Sequence, residues 1–131
     1  AFHPFASRMP FETWIMPMQH DSCFGHITDE GITDLARVLH AILNKLYFGL
    51  GNPDFNYVIH TALVEDEHKH YFMWHIQILP RLTLQAGFEL GSGMYINIAL
   101  PEETAAFMRE VEAGGISERE PGGEASSVGG I

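Results

Sequence analysis

The sequence is poor in cysteine, in positive charge and in long apolar stretches. Cys23 is the single cysteine among 131 residues, so an internal disulfide is excluded and a reducing cytoplasm is favoured. Lys and Arg total 7 against 17 Asp and Glu, and this formal charge of -10 argues against a general nucleic-acid-binding surface. No apolar run reaches the roughly 18 residues of a membrane span. The composition predicts one acidic cytoplasmic domain with no nucleic-acid or membrane partner.

Signatures of catalysis and nucleotide binding are also scarce. There is no P-loop, no G-x-G-x-x-G that opens a helix and no arguable Ser-His-Asp order. The chain does have a hydrophobic content of 46%, which is sufficient for a core in one domain. It also has eight histidines, which are the first candidates for residues of a functional site.

The apolar pattern predicts a sheet. Short or alternating apolar runs favour strands at Phe11–Pro17, Phe55–Leu63 and Tyr71–Leu79, with one or two more inside Gly87–Ile98. The glycines that flank Phe88 and Glu89 indicate a β-bulge or a place where a ligand comes close. Glu89 itself is either an acceptor for sugar hydroxyls or an ordinary exposed acid.

Two helices are expected. The first runs from about Ile32 to Leu50, with Thr28 or Asp29 as its N-cap and Gly51 at its end. One buried stripe follows its 3.6-residue period: Ile32, Leu35, Ala36, Leu39, Ile42, Leu43, Leu46 and Leu50. A second, shorter helix runs from Leu100 to about Glu112, with a proline in its first turn.

These elements predict an α+β domain over residues 1–112. We expect an antiparallel sheet, one long helix packed on a face of that sheet and a short C-terminal helix. Residues 113–131 are rich in Gly, Ser and Glu and have little to bury, so we expect a disordered tail.

The stretch from Tyr71 to Arg81 is the most informative part of the chain. Its alternation puts four apolar residues on one face and places His75 and Gln77 together on the other, beside Met73. Burying an imidazole and an amide costs free energy unless both find partners. The pair is therefore either a set of satisfied core polar groups or a site for a phosphate or a metal.

A third polar residue is expected on the same face. If Phe55–Leu63 and Tyr71–Leu79 form a hairpin that turns near Asp66 and Glu67, His60 faces Met73 and lies diagonal to His75. Two histidines on adjacent strands are half of a zinc or iron site, or else a hydrogen-bonded pair in a polar patch. His20, which follows a strand end, is the next candidate ligand.

Five segments of the chain resemble, in order and in spacing, the C-terminal half of a galactose-1-phosphate uridylyltransferase. These segments are Phe5–Pro17, Asn56–Thr61, Trp74–Arg81, Ala86–Gly93 and Tyr95–Asn97. The similarity is greatest to the branch that includes plant ADP-glucose phosphorylase. The resemblance implies a fold of the histidine-triad superfamily, of which these enzymes contain two copies.

The resemblance also implies a reaction. Such transferases move a nucleotidyl group between sugar phosphates by a ping-pong route, and a histidine carries the nucleotide covalently. That histidine belongs to an H-P-H-G-Q-like motif in the N-terminal half of the family, and this chain has no such motif. His75 takes the corresponding place in the second copy, which the family does not use for chemistry. We therefore expect an N-terminal half before Ala1 and no transfer activity in the isolated chain.

The resemblance further implies two kinds of site. The family segment that contacts the hexose matches Ala86–Glu89, which makes Phe88 and Glu89 substrate-binding candidates together with Gln77. The family's metal ligands match His60, Met73 and His75 in bacterial transferases, and positions near His20 and Met73 in the plant branch. Zinc or iron is the implied metal, but Met73 replaces one histidine in either scheme, so we expect weak or absent binding.

The expected partners are a nucleotide sugar, a sugar phosphate, the N-terminal half and a second copy in a homodimer. Two other functions compete with the transferase domain. One is a free-standing nucleotide-binding or hydrolase module of the histidine-triad kind, and the other is a non-catalytic dimerisation domain.

Overall fold

The computed structural model describes residues 1–112 as three strands, three α-helices and two 3-10 turns. The predicted tail, residues 113–131, lies outside the described residues. No helix within residues 1–112 is both long and apolar enough to cross a membrane. The predicted α+β class is confirmed.

Three antiparallel strands form the sheet. They are β1 (Thr13–Ile15), β2 (Phe55–His60) and β3 (His75–Pro80), in the order β1-β3-β2. The first predicted strand is confirmed in its centre, but its extension to Phe11 is wrong because Phe11 has a φ of 62°, which lies in the left-handed region. The short β1 still pairs with β3, the buried central strand.

The long helix α1 runs from Asp29 to Leu50, about one turn longer than predicted. The hydroxyl of Thr28 accepts a hydrogen bond of 3.1 Å from the amide of Gly31, so Thr28 is the N-cap. The helix ends at Gly51, whose φ of 73° is left-handed and suits a residue without a Cβ.

The core lies between one face of the sheet and the helices. Its buried members are Ile15, Ile42, Leu46, Trp74, Ile76, Ile78 and Met108. Of the predicted helical stripe, only Ile42 and Leu46 are fully buried, and Ile32 is 50% exposed. The stripe prediction is therefore confirmed from Leu35 onward, because the leucines of the stripe are partly buried against the core, while Ile32 and Ala36 are exposed.

The short helix α3 (Pro101–Glu110) lies close to the end of α1. A Cβ added to Gly49 would meet Val111 Cγ2 at 2.7 Å, so the glycine permits this approach. The ammonium of Lys45 donates to the carbonyl of Met108 at 2.7 Å and to that of Val111 at 2.6 Å. A positive charge at a helix C-terminus is favourable because the free carbonyls there carry partial negative charge.

The prediction of strands inside Gly87–Ile98 is wrong, because Gly87–Ser92 forms a helix, α2, and residues 93–98 are not in a strand. The carboxylate of Glu89 accepts a hydrogen bond from the amide of Ala86 at 3.0 Å and so caps the first turn. Gly93, with a φ of 72°, ends the helix. The glycines of this segment therefore serve a helix end and no β-bulge is formed.

The hairpin between β2 and β3 is present, but its register differs from the prediction. His60 lies opposite His75, and Met73 precedes β3. The predicted pairing of His60 with Met73 is thus wrong by two residues. Because the displacement is an even number, His60 and His75 remain on one face as expected.

The register follows from contacts made outside the hairpin. The amide of Ala62 donates to the carbonyl of Ser22 at 2.9 Å, and the amide of Trp74 donates to the carbonyl of Asp21 at 3.0 Å. The residues just beyond each strand therefore pair with the segment that follows β1, and the two strands end at His60 and His75.

Candidate functional site

A chain of polar side chains crosses the face of the sheet opposite the hydrophobic core. Gln77 on β3 donates a hydrogen bond of 2.6 Å from Nε2 to Oε1 of Glu12. Oε1 of Gln77 lies 3.1 Å from Nε2 of His60 on β2. The Glu12–Gln77–His60 chain thus runs from the residue before β1 across β3 to β2, and strand pairing sets the positions of Gln77 and His60.

Glu12 anchors this chain. Its side chain is 1% exposed, and it accepts three hydrogen bonds, from Gln77, from Nε1 of Trp14 at 2.8 Å and from the amide of Arg8 at 2.6 Å. A buried carboxylate is tolerated only where donors replace its lost hydration, and these three do so without a cationic side chain.

The direction of the hydrogen bonds assigns the proton of His60. Because the amide nitrogen of Gln77 faces an acceptor, its carbonyl oxygen faces His60 and accepts from Nε2–H. In neutral His60 the lone pair is then on Nδ1. No hydrogen bond to that atom is found within residues 1–112.

His75 is held by aromatic stacking. Its ring lies 4.4 Å from that of Trp14 with 16° between the planes, and 4.5 Å from that of His60 with 18° between the planes. Nδ1 of His75 donates to the carbonyl of Met73 at 3.1 Å, because a carbonyl can only accept. In neutral His75 the lone pair is therefore on Nε2.

The stacked rings bear on the predicted metal site. An imidazole binds a metal through a lone pair in the plane of its own ring. The planes of His60 and His75 are nearly parallel, so one ion cannot lie close to both lone pairs in this arrangement. His20 is elsewhere, with its ring 5.3 Å from that of His70. The set of His20, His60 and His75 stays a prediction, and the described residues do not assemble it.

Of the three predicted sugar-binding residues, Phe88 and Glu89 lie on α2 and Gln77 lies on β3. Phe88 is 59% exposed. Both oxygens of Glu89 are engaged by the backbone, one by the amide of Ile96 and the other by that of Ala86, each at 3.0 Å. These hydrogen bonds, Ile96 first, hold the pKa of the Glu89 carboxyl below its ordinary value. Gln77 is 3% exposed and has both amide ends occupied. Their contacts with a substrate stay predictions.

Sequence reasoning missed Glu12 and Trp14. A signal was present, because both fall on one face of the first predicted strand and an acid inside an apolar strand needs partners when it is buried. The partners themselves could not be named, since Gln77 is 65 positions away from Glu12.

Known proteins are similar to this chain in both sequence and fold. The chain is 44% identical over 110 residues to the ADP-glucose phosphorylase of Arabidopsis thaliana, a match that covers 82% of this chain and 31% of that protein. It is 31% identical over 121 residues to the galactose-1-phosphate uridylyltransferase of Thermotoga maritima, which covers 86% and 38%. The chain thus spans about a third of the length of the curated relatives it matches. No protein-family model matches the chain.

Solved structures of two of these kinds of protein are also similar to this chain in fold. The crystal structure of an ADP-glucose phosphorylase from Arabidopsis thaliana with bound ADP-glucose matches 85% of this chain and 37% of its own, at 41% identity and a TM-score of 0.78. A uridylyltransferase structure matches 82% of this chain and 36% of its own, at 32% identity and a TM-score of 0.75.

The fold and these matches define a domain of the histidine-triad superfamily. Within that superfamily, the chain is a galactose-1-phosphate uridylyltransferase-like domain, and its relatives include an ADP-glucose phosphorylase and a galactose-1-phosphate uridylyltransferase. The resemblance stated from the sequence is confirmed.

Proposed function

We propose that this chain is the C-terminal domain of a sugar-phosphate nucleotidylyltransferase and supplies part of its sugar pocket. The observation that carries the proposal is the match to a structure with bound ADP-glucose, at 41% identity and over 85% of this chain. A nucleotide sugar and a sugar phosphate are accordingly the proposed substrates.

The proposed chemistry needs a nucleophile from outside the chain. A ring nitrogen attacks the α-phosphorus of the nucleotide sugar, the sugar phosphate leaves, and an acceptor phosphate then takes the nucleotidyl group from the histidine. His75 is a poor choice for this attack because its ring is stacked between Trp14 and His60. We assign the nucleophile to an N-terminal half that precedes Ala1, and we assign His75 a positioning role.

The exposed apolar surface of β2 supports the proposal that a further segment of polypeptide packs against this domain. β2 is an edge strand, and Phe55, Tyr57, Val58 and Ile59 on it are between 39% and 62% exposed. Unpaired backbone groups and apolar side chains on one edge favour pairing with another strand. We propose that the N-terminal half covers this edge and that a second copy completes a homodimer.

Glu89 is proposed to orient the sugar. Its two oxygens already accept backbone hydrogen bonds, but each carboxylate oxygen has a second lone pair that can accept from a hydroxyl. A carboxylate repels phosphate, so the nucleotide end of the substrate lies away from Glu89. The exposed ring of Phe88 next to it offers an apolar surface to the sugar.

At His60 and His75, zinc or iron is proposed only together with further ligands from outside the described residues. His60 and His75 offer one lone pair each, in planes that do not converge, and a zinc site takes three or four protein ligands. The cytoplasm is the proposed location because a single cysteine suits a reducing compartment.

The test compares the 131-residue chain with a longer polypeptide that carries the proposed N-terminal half. Both are incubated with ADP-glucose or UDP-glucose and either phosphate or a sugar phosphate. We expect transfer, and a covalent nucleotidyl-histidine, only in the longer protein. Turnover by the 131-residue chain that is lost in His75→Ala would instead establish a free-standing histidine-triad enzyme. Inactivity of both proteins on every pair of substrates would favour a non-catalytic domain.

A further inference from the structure

A second cluster of metal-ligating side chains lies away from the Glu12–Gln77–His60 chain. Cys23, His26 and Glu67 each place one ligand atom within 4.8 Å of the other two. No other group of three such side chains is found within residues 1–112. The cluster shares no residue with the predicted set of His20, His60 and His75.

Local structure brings Cys23 and His26 together. They form a Cys-x-x-His pair around the 3-10 turn Phe24–His26, with the amide of His26 donating to the carbonyl of Cys23 at 3.1 Å. Side chains at i and i+3 of a 3-10 turn lie on the same side. The turn is also fixed to the residue that follows β2, because the amide of Phe24 donates to the hydroxyl of Thr61 at 2.9 Å.

A separate contact positions Glu67 next to this turn. The hydroxyl of Ser22, which is 2% exposed, donates to the backbone carbonyl of Glu67. This bond joins the residue next to Cys23 to a segment 45 positions away. The position of Glu67 beside the turn is thus set by a buried backbone contact and does not depend on its own charge.

The two ring nitrogens of His26 face different carboxylates. Nε2 lies 3.7 Å from an oxygen of Glu67, and Nδ1 lies 3.4 Å from an oxygen of Asp21. Metal-binding histidines commonly present one nitrogen to the ion while the other N–H donates to a carboxylate, which orients the ring. Asp21 is held for that role, since its carboxylate accepts from the amide of Cys23 at 3.0 Å.

We propose that Cys23, His26 and Glu67 bind a zinc ion, with Nε2 of His26 as the nitrogen ligand and Asp21 as the carboxylate behind it. A thiolate, an imidazole and a carboxylate are all ligands that zinc accepts. Bonds of about 2.1 Å at tetrahedral angles put two zinc ligands roughly 3.4 Å apart, close to the 3.7 Å between His26 and Glu67. The thiol proton leaves on binding.

The ion would fasten the segment after β1 to the connection between β2 and β3. Three protein ligands leave the fourth position to water or to another group. Since the same two segments set the hairpin register through Ser22 and Asp21, the ion would reinforce the pairing that brings His60 opposite His75.

Cobalt(II) is the probe, because a thiolate bound to it gives a charge-transfer absorption in the near ultraviolet. We expect one Co²⁺ per chain with that absorption and its loss when Zn²⁺ is added. Cys23→Ser should abolish the absorption, and Glu67→Gln and Asp21→Asn should each weaken Co²⁺ binding by roughly 10–100-fold. His20→Gln and His40→Gln are matched controls and should leave the spectrum unchanged.

Alkylation of the unmodified protein gives a second readout that needs no variant. Cys23 is the only cysteine, so the rate of its reaction with iodoacetamide reports on one thiol, and Zn²⁺ should slow it at least tenfold. An unchanged alkylation rate, absence of bound Co²⁺, or bound Co²⁺ without the charge-transfer absorption would each overturn the proposal. So would an absorption that persists in Cys23→Ser or disappears in His20→Gln.

Discussion

The buried carboxylate of Glu12 accepts a hydrogen bond of 2.6 Å from the side-chain amide of Gln77, 65 positions further along the chain. This bond ties β1 to the central strand and, through the other end of the amide, determines which nitrogen of His60 carries a proton. The side chain of an acid next to β1 is thus linked by two consecutive hydrogen bonds to a histidine on β2.

Replacing Glu12 by glutamine should destabilise the domain. One of the two oxygens becomes an NH₂ group that faces a donor, either the backbone amide of Arg8 or the side-chain N–H groups of Gln77 and Trp14. An unpaired buried polar group costs about 1–3 kcal/mol, and we expect a loss of that size in the free energy of unfolding measured in urea. Glu30→Gln, at an exposed position of α1, is the control and should change little. Equal stability of Glu12→Gln and the unmodified protein would contradict the prediction.

Gly49→Ala should also destabilise the domain, by overpacking. The new methyl group would lie 2.7 Å from Val111 Cγ2, and overpacking typically costs about 1–3 kcal/mol. Adding Val111→Ala removes the obstructing methyl groups and should recover part of the loss. Gly91→Ala is the control, because a Cβ there meets nothing within 4 Å. Thermal unfolding of the three variants and of the unmodified protein measures the effect, and a Gly49→Ala protein as stable as Gly91→Ala would rule it out.

The free energy of unfolding should fall when the solution is acidified, and protonation of His3 should account for part of that fall. Nδ1 of His3 lies 2.7 Å from the hydroxyl of Thr104, and burial, followed by the charge of Arg109, lowers the pKa of His3. The unfolded residue titrates near its ordinary pKa of about 6.5, so the unfolded state binds the proton first as the pH falls. The contribution is complete above about pH 6.5 and is lost as the pH falls from there to the lowered folded pKa.

Urea unfolding at about pH 8 and about pH 5 should therefore show a smaller loss of stability in His3→Gln than in the unmodified protein. His40→Gln, on the exposed side of α1, should keep the full loss. The same pH dependence in His3→Gln and in the unmodified protein would assign the effect to other groups.

Glu89→Gln, made in the complete enzyme, should change the choice of sugar more than the overall rate. The amide keeps the size of the side chain but presents a donor where a hydroxyl proton was accepted. We expect kcat/KM to fall more for one hexose phosphate than for its epimer. Equal losses for all sugar phosphates would show that Glu89 supports α2 through the amides of Ala86 and Ile96 and does not select the sugar.

The sequence predicted best where local chemistry decides the structure. The N-cap of α1 at Thr28 and the end of this helix at Gly51 could be predicted because both depend on neighbouring residues alone. The alternation of β3 likewise placed His75 and Gln77 on one face. The register of the hairpin was not readable, since backbone contacts from Asp21 and Ser22 determine where the two strands end.

The remaining errors have the same origin. The segment after Gly87 looked like a strand with glycine bulges, yet the carboxylate of Glu89 closes a helical turn there. The partners of Glu12 and of Cys23 come from positions that only the folded chain brings near, Gln77 and Glu67 respectively. Spacing along a sequence reveals which residue needs a partner but not which distant residue provides it.

The exposed edge of β2 has a consequence for the order of synthesis. In the longer protein proposed above, the N-terminal half leaves the ribosome first and is already available when β2 emerges. Synthesis without that half would release the same edge uncovered by residues 1–112, and apolar edges of this kind template association between copies. Yield and monodispersity of the domain would therefore depend on which part of the protein was translated before it.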